Sequence, residues 1–148
     1  MRFVIQRVSQ ARVTVEEETV GQIGRGFLVL AGIGAGDDRA TADKMIRKLL
    51  GLRIFPDAEG KINLDLKAVG GGLLIISQFT LYADCKKGNR PSFTKAGTPE
   101  MAEALYEYIV SECAKEIAVV ETGVFAASMK VALVNEGPFT VILDSEEL

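Results

Sequence analysis

Four consecutive apolar residues, Leu73-Leu74-Ile75-Ile76, are entered from Gly70-Gly71-Gly72 and left through Ser77-Gln78-Phe79-Thr80. An apolar run without alternation, bounded by glycine, predicts a strand buried on both faces. Such a strand needs cover on each side, so the chain must build layers around it. The flanking sequence supplies them. Phe3–Val8, Ala11–Val15, Thr19–Ile23 and Phe27–Ile33 read as strands, with turn signals at Glu16–Glu18 and Gly24–Gly26 that favour a hairpin and meander. Met45, Ile46, Leu49, Leu50 and Leu52 recur at helical spacing and predict a helix over Thr41–Leu52. A second helix starts at Thr98 as N-cap, with Pro99 at the first helical position, Glu100 in the first turn and one apolar face of Ala102, Leu105, Tyr106, Ile109 and Cys113. Short strands follow the first helix at Arg53–Pro56 and within Asp57–Leu66, and the C-terminal segment holds strands at Ile117–Thr122, Phe125–Val134 and Phe139–Asp144. The expected fold is a single α/β domain over residues 1–148. Mixed or antiparallel sheets pack in a barrel-like layer, and the two helices cover one face.

At 148 residues, one core buries about two-thirds of the unfolded surface without disulfides or metals. No apolar run reaches the roughly 18 residues of a helical membrane span. The opening MRFVIQRVSQ is broken by Arg2, Gln6 and Arg7 before a signal-peptide core can form, so a cytoplasmic location is expected. Cys85 and Cys113 have no C-x-x-C spacing and read as reduced thiols. The chain contains no histidine, which removes Ser-His and Cys-His pairs, histidine general bases and histidine metal sites together. Neither a metal nor a cofactor is expected. A net charge of −3 is wrong for a protein that grips long nucleic acid, and DNA is not an expected partner. A small local contact is compatible with it, and Lys86, Lys87 and Arg90 form the one tight basic cluster near the buried run. A solvated loop is the default reading of those three cations.

Three stretches compete as sites. Gly32–Asp37, GIGAGD, follows a strand and precedes a helix, but it lacks the G-K-[ST] ending of a phosphate loop, and Asp37 and Asp38 would repel a phosphate. A strand-to-helix turn capped by Asp37 or Thr41 is the simpler reading. Ser77, Gln78 and Thr80 break the apolar strand with two hydroxyls and an amide, each costing about 1 to 3 kcal/mol if buried unpaired. Alternation would put Gln78 and Thr80 on one face, Ser77 and Phe79 on the other. Last, Asn135, Glu136, Gly137 and Pro138 interrupt VALVNEGPFTVILD. Proline cannot donate to a ladder, so the pattern reads as a turn between two strands, or as a dipeptide exposed for use, with X-Pro bonds able to adopt cis.

Ser77-Gln78-Phe79-Thr80-Leu81 with KKGNRPSF after it, the later ETGVFAASMKVALVNEGPFTVILDS, and the opening MRFVIQRVSQARVTV together resemble the D-aminoacyl-tRNA deacylases, also called D-tyrosyl-tRNA deacylases. The resemblance covers nearly the whole chain, and its two motifs, S-Q-x-T-L and N-x-G-P-x-T, stand in the expected order. It implies that Ser77, Gln78, Phe79 and Thr80 line the pocket where the aminoacyl ester at the tRNA 3′ end is cleaved. Asn135, Gly137, Pro138 and Thr140 would form a loop with a cis Gly-Pro bond that enters a partner subunit's pocket, so a homodimer completes the site. Phe125 and Met129 would shape the pocket around the terminal adenosine, and Lys86, Lys87 and Arg90 would meet the tRNA. The implied reaction is hydrolysis of D-aminoacyl-tRNA; whether glycyl-tRNA is also cleaved stays open. Two positions depart from the family pattern, Ala83 and Ala126, each standing where glycine is usual.

Overall fold

A computed structural model describes residues 1–148. The strands are β1 (Arg2–Val15), β2 (Glu18–Ile23), β3 (Gly26–Gly32), β4 (Phe55–Pro56), β5 (Ile62–Leu64), β6 (Gly72–Ser77), β7 (Val120–Thr122) and β8 (Lys130–Asp144). The helices are α1 (Arg39–Leu50) and α2 (Pro99–Ala114). One six-stranded mixed sheet runs β2-β1-β3-β6-β7, with β8 paired to β1; β4 and β5 form a separate two-stranded ribbon. The sheet curls into a nearly closed barrel. The apolar run is β6, parallel to β3 on one side and to β7 on the other, with Gly72 through Ile76 buried.

The layers expected around β6 are two packed clusters. The larger lies between sheet and helices and includes Phe3, Ile5, Phe27, Val29, Leu73, Ile75, Met45, Leu49, Leu105 and Ile109. The smaller, Val8, Ala11, Val13, Ile23, Leu28, Leu74 and Ile76, fills the barrel interior. Leu73 and Ile75 thus face the helices while Leu74 and Ile76 face inward, the period-2 geometry of a doubly covered strand. Burying each such side chain contributes about 1.5 to 3 kcal/mol.

The α2 face is the one expected, with Ala102, Leu105, Tyr106, Ile109 and Cys113 buried, and Thr98 accepts from the Met101 amide as N-cap. For α1 the cap is neither Asp37 nor Thr41. Asp38 accepts from both the amide and the hydroxyl of Thr41, each at 2.8 Å, and the helix starts at Arg39. Asp37 is turned away: its carboxylate takes the Gly34 amide at 2.7 Å and the Met1 ammonium at 2.8 Å.

The C-terminal segment corrects two expectations. Phe125–Met129 is a loop, and β8 begins only at Lys130. From there a single strand runs to Asp144, so Asn135–Pro138 does not separate two strands. Both halves pair with β1: Lys130–Asn135 against Val8–Thr14, and Thr140–Asp144 against Arg2–Gln6. Between Asn135 and Thr140 four residues of β8 stand opposite Arg7 alone, a bulge that shifts the register. The Gly137–Pro138 peptide is cis. Proline is tolerated there because a bulge asks for no ladder donor.

Barrel closure depends on the near approach of β2 and β7. A Cβ built at Gly21 would lie 2.4 Å from the Thr122 carbonyl oxygen. Replacing Gly21 with Ala should therefore cost about 1 to 3 kcal/mol by overpacking. A chemical-denaturation midpoint equal to that of the parent chain would contradict this closure.

Candidate active site

The carboxyl ends of the three parallel strands point one way, and the segments that leave them converge. Ile33 follows β3, Ser77 and Gln78 end β6, and Phe125, Ala126 and Ala127 follow β7; with Phe93, Gly97, the start of α2 and Met129 they line a pocket of about 560 Å³. Sites in α/β sheets form outside strand carboxyl ends for this reason, since the ladder stops there and side chains are free to face a ligand. The volume suits a small organic group, and the wall is mainly apolar with a few polar atoms.

The polar atoms come from the end of β6. The ladder stops at Ser77, and Phe79–Tyr82 turns into a 3₁₀ helix, so strand alternation does not govern Gln78, Phe79 and Thr80. The Gln78 amide still bonds the Ala31 carbonyl of β3 at 2.8 Å. The Gln78 side chain donates to the Thr80 hydroxyl at 2.5 Å. Thr80 is thus an acceptor in this arrangement. Its hydroxyl accepts from an amide, which is no base, and its own proton is left to give to something outside the chain. Phe79 is 56% exposed despite its apolar ring, which meets Phe93 edge-on at 5.0 Å. An exposed ring at a pocket mouth, backed by a half-buried one, is a surface for stacking.

Of the residues singled out from sequence, the structure brings Ser77, Gln78, Phe79, Phe125 and Met129 into one pocket lining. Thr80 stands at its edge through Gln78. Asn135, Gly137, Pro138 and Thr140 are not in that lining; they form the exposed bulge of β8. Within the bulge, Asn135 accepts from the Phe139 amide at 2.7 Å and donates to the Thr140 hydroxyl at 3.0 Å. Arg7 donates to the Glu136 carbonyl at 3.0 Å and lies 4.7 Å from the centre of the Phe139 ring. The loop is held firmly and points to solvent. Lys86, Lys87 and Arg90 are exposed and take part in none of the four ion pairs. They sit on a loop closed by backbone bonds between Asp84 and Ser92 at 2.7 and 2.9 Å. Cys85 is exposed and Cys113 buried, where burial pushes its thiol up to about 12 and keeps it inert.

Ile33, Phe93 and Gly97 also line the pocket, although nothing in their local pattern singles them out, and so does Ala102, read from sequence only as part of the α2 apolar face. They are apolar residues of unremarkable context whose role comes from position alone.

Residues 4–144 match the family described as D-Tyr-tRNA(Tyr) deacylase. The chain belongs to that family. A curated relative from Desulfitobacterium hafniense, a D-aminoacyl-tRNA deacylase, is 54% identical over 147 residues, covering 99% of each chain. Among solved structures, one titled c-Myc DNA Unwinding Element Binding Protein superposes with a TM-score of 0.92 at 38% identity, covering 97% of this chain and 98% of that one. Another, described as a probable eukaryotic D-amino acid tRNA deacylase, has a TM-score of 0.82 at 21% identity, covering 96% and 97%, and speaks for the fold. Membership makes this deacylase a hydrolase of an ester bond.

The two departures from the family pattern are not equivalent. Ala83 has φ −61°, which any residue adopts, whereas Ala126 is left-handed at φ +64°. An L-residue with a Cβ is strained there by about 1 to 2 kcal/mol. Ala126→Gly relieves that strain but gives the unfolded chain more freedom, so a net gain of up to about 1 kcal/mol is expected. A lowered denaturation midpoint for Ala126→Gly would show that the methyl is instead needed for packing.

Proposed function

We propose that the deacylase hydrolyses the ester joining a D-amino acid to the 3′ end of tRNA, releasing free D-amino acid and tRNA, and does so in the cytoplasm as a homodimer. The observation that carries the reading is the Thr80 hydroxyl, paired to an amide and to no base, at the edge of an apolar pocket. An aminoacyl ester is already activated. What it requires is orientation and a donor for the tetrahedral oxyanion, and one such donor is worth about 2.7 to 4 kcal/mol. The Phe79 amide, first in its turn, is the oxyanion donor, and Thr80 places the attacking water or the terminal ribose hydroxyl. Ser77 and Gln78 fix this edge; Phe125 and Met129 receive the terminal adenosine. Lys86, Lys87 and Arg90 meet the few phosphates of the acceptor end, which a chain of net charge −3 can accommodate.

The exposed bulge supplies chirality. The Gly137–Pro138 loop lies outside its own pocket lining, and in this reading a second copy brings it there. Backbone carbonyls read the α-amino group that all substrates share, and the side chain of an L-substrate would strike the loop. Rejection by 10⁴-fold needs about 5.5 kcal/mol, which steric exclusion by rigid backbone can provide. Asn135, Thr140 and Arg7 supply the rigidity. Exclusion by side chain does not touch glycine, so glycyl-tRNA is a second substrate of the same site.

Incubation with D-tyrosyl-tRNA and L-tyrosyl-tRNA in parallel tests this reading. Only the D-ester should disappear, and Gly137→Val, at φ +141° in the loop, should slow that loss while size-exclusion still reports a dimer. Hydrolysis of neither ester would favour a non-catalytic module that binds nucleic-acid ends. Thr80→Ala should retain turnover above the uncatalysed rate; a trapped acyl-Thr80 species would establish a nucleophile and overturn the positioning role.

A further inference from the structure

The Phe79–Tyr82 turn that presents Phe79 and Thr80 is short, and 3₁₀ hydrogen bonds are weaker than α-helical ones. At its ends the Leu81 amide bonds the Gln78 carbonyl at 3.3 Å and the Ala83 amide the Thr80 carbonyl at 3.0 Å. Its first end is tied to β3 through Gln78. The other end is held from outside the pocket. Arg2 donates through Nη1 to the Leu81 carbonyl at 3.0 Å and through Nε to Asp144 Oδ2 at 2.8 Å, and its guanidinium carbon lies 4.6 Å from the centre of the Tyr82 ring. Burial alone would raise the Asp144 carboxyl, but the Glu146 amide and Arg2 outweigh it and hold it below the usual carboxylate range. Burial, with Asp37 nearby, pushes Tyr82 up to about 12, so the ring stays neutral under the cation.

The GIGAGD segment, which binds no phosphate in any reading above, is where this turn rests. A Cβ at Gly32 would lie 2.9 Å from the Leu81 Cβ, and one at Gly34 would lie 2.9 Å from Tyr82 Cζ. Glycine at both places lets the turn approach at backbone distance. Gly34 is itself fixed, its amide on Asp37 and its strand-like pairing to Ala96 of the pocket wall.

We propose that Arg2 is a positioning residue for deacylation, holding the Phe79–Tyr82 turn against the Gly32–Gly34 seat so that the Phe79 amide and Thr80 hydroxyl keep their aim. The proposal rests on the reading that those two groups act on the ester. A guanidinium is required because one planar group makes the two hydrogen bonds and lies against the ring, which a lysine ammonium cannot do together.

The test compares the full-length chain with Arg2→Leu and Arg2→Lys by two readouts. With D-tyrosyl-tRNA, Arg2→Leu should lower kcat by about 10- to 100-fold with KM within about twofold, as displacement of aligned groups does, and Arg2→Lys should restore only part of the loss. Independently of activity, amide hydrogen exchange at Leu81 and Ala83 should quicken by about tenfold or more while that of the β3 and β6 amides is unchanged. Unchanged exchange at Leu81 and Ala83, wild-type kcat in Arg2→Leu, or a uniform rise in exchange across the sheet would each overturn the proposal. Absence of D-ester hydrolysis by the parent chain would sink the functional reading instead, and the exchange measurement would still judge the brace.

Discussion

Everything in this molecule is arranged around the pairing of β1 with β8. The two longest strands lie antiparallel over nearly their full length, and β1 contributes Phe3 and Ile5 to the cluster under the helices but Val8, Ala11 and Val13 to the barrel interior. A strand with strict alternation cannot change the cluster it feeds. Val8 lies on the face opposite Phe3 and Ile5 by ordinary alternation; the switch comes between Val8 and Ala11, where a second register shift leaves Ser9 of β1 without a partner and lets Ala11 and Val13 join Val8. The bulge opposite Arg7, which leaves Gly137 and Pro138 exposed, adjoins that switch along the same strand pair.

The pocket follows from the opposite end of the sheet. Since β3, β6 and β7 are parallel, their exits are neighbours, and three sequence-distant loops are brought to one place. The ladder keeps β6 rigid up to Ser77, and the 3₁₀ turn after it exposes polar groups at the boundary between a dry core and an apolar cleft. In that setting a hydrogen-bond donor is worth more than in water.

Much of the fold was legible. The doubly buried strand, both helices, the α2 face and its cap could be read because period, capping chemistry and proline placement are local properties. The misreadings have a common cause. Asp37 resembled a cap as well as Asp38 did, and only the position of Gly34 and the chain start decides which carboxylate turns toward the helix. Phe125–Met129 has the composition of a strand, yet the ladder that would pair it ends at Thr122. Asn135–Pro138 read either as a turn or as an exposed X-Pro dipeptide; the turn fails because both flanks pair with one neighbour, a long-range fact no local pattern encodes.

The site divides in the same way. Residue type alone determined what the chemistry excludes: no histidine, dispersed thiols, a net negative charge and two motifs whose spacing is family-specific. Those are statements about groups, and groups are written in the sequence. The tertiary structure alone decided that Gln78 donates to Thr80, that Gly137 and Pro138 stand outside their own pocket, that Ala126 rather than Ala83 is strained, and that Gly32 and Gly34 seat a turn rather than a phosphate. Distances between residues far apart in the chain arise from packing the whole molecule, and they turn a list of groups into a mechanism.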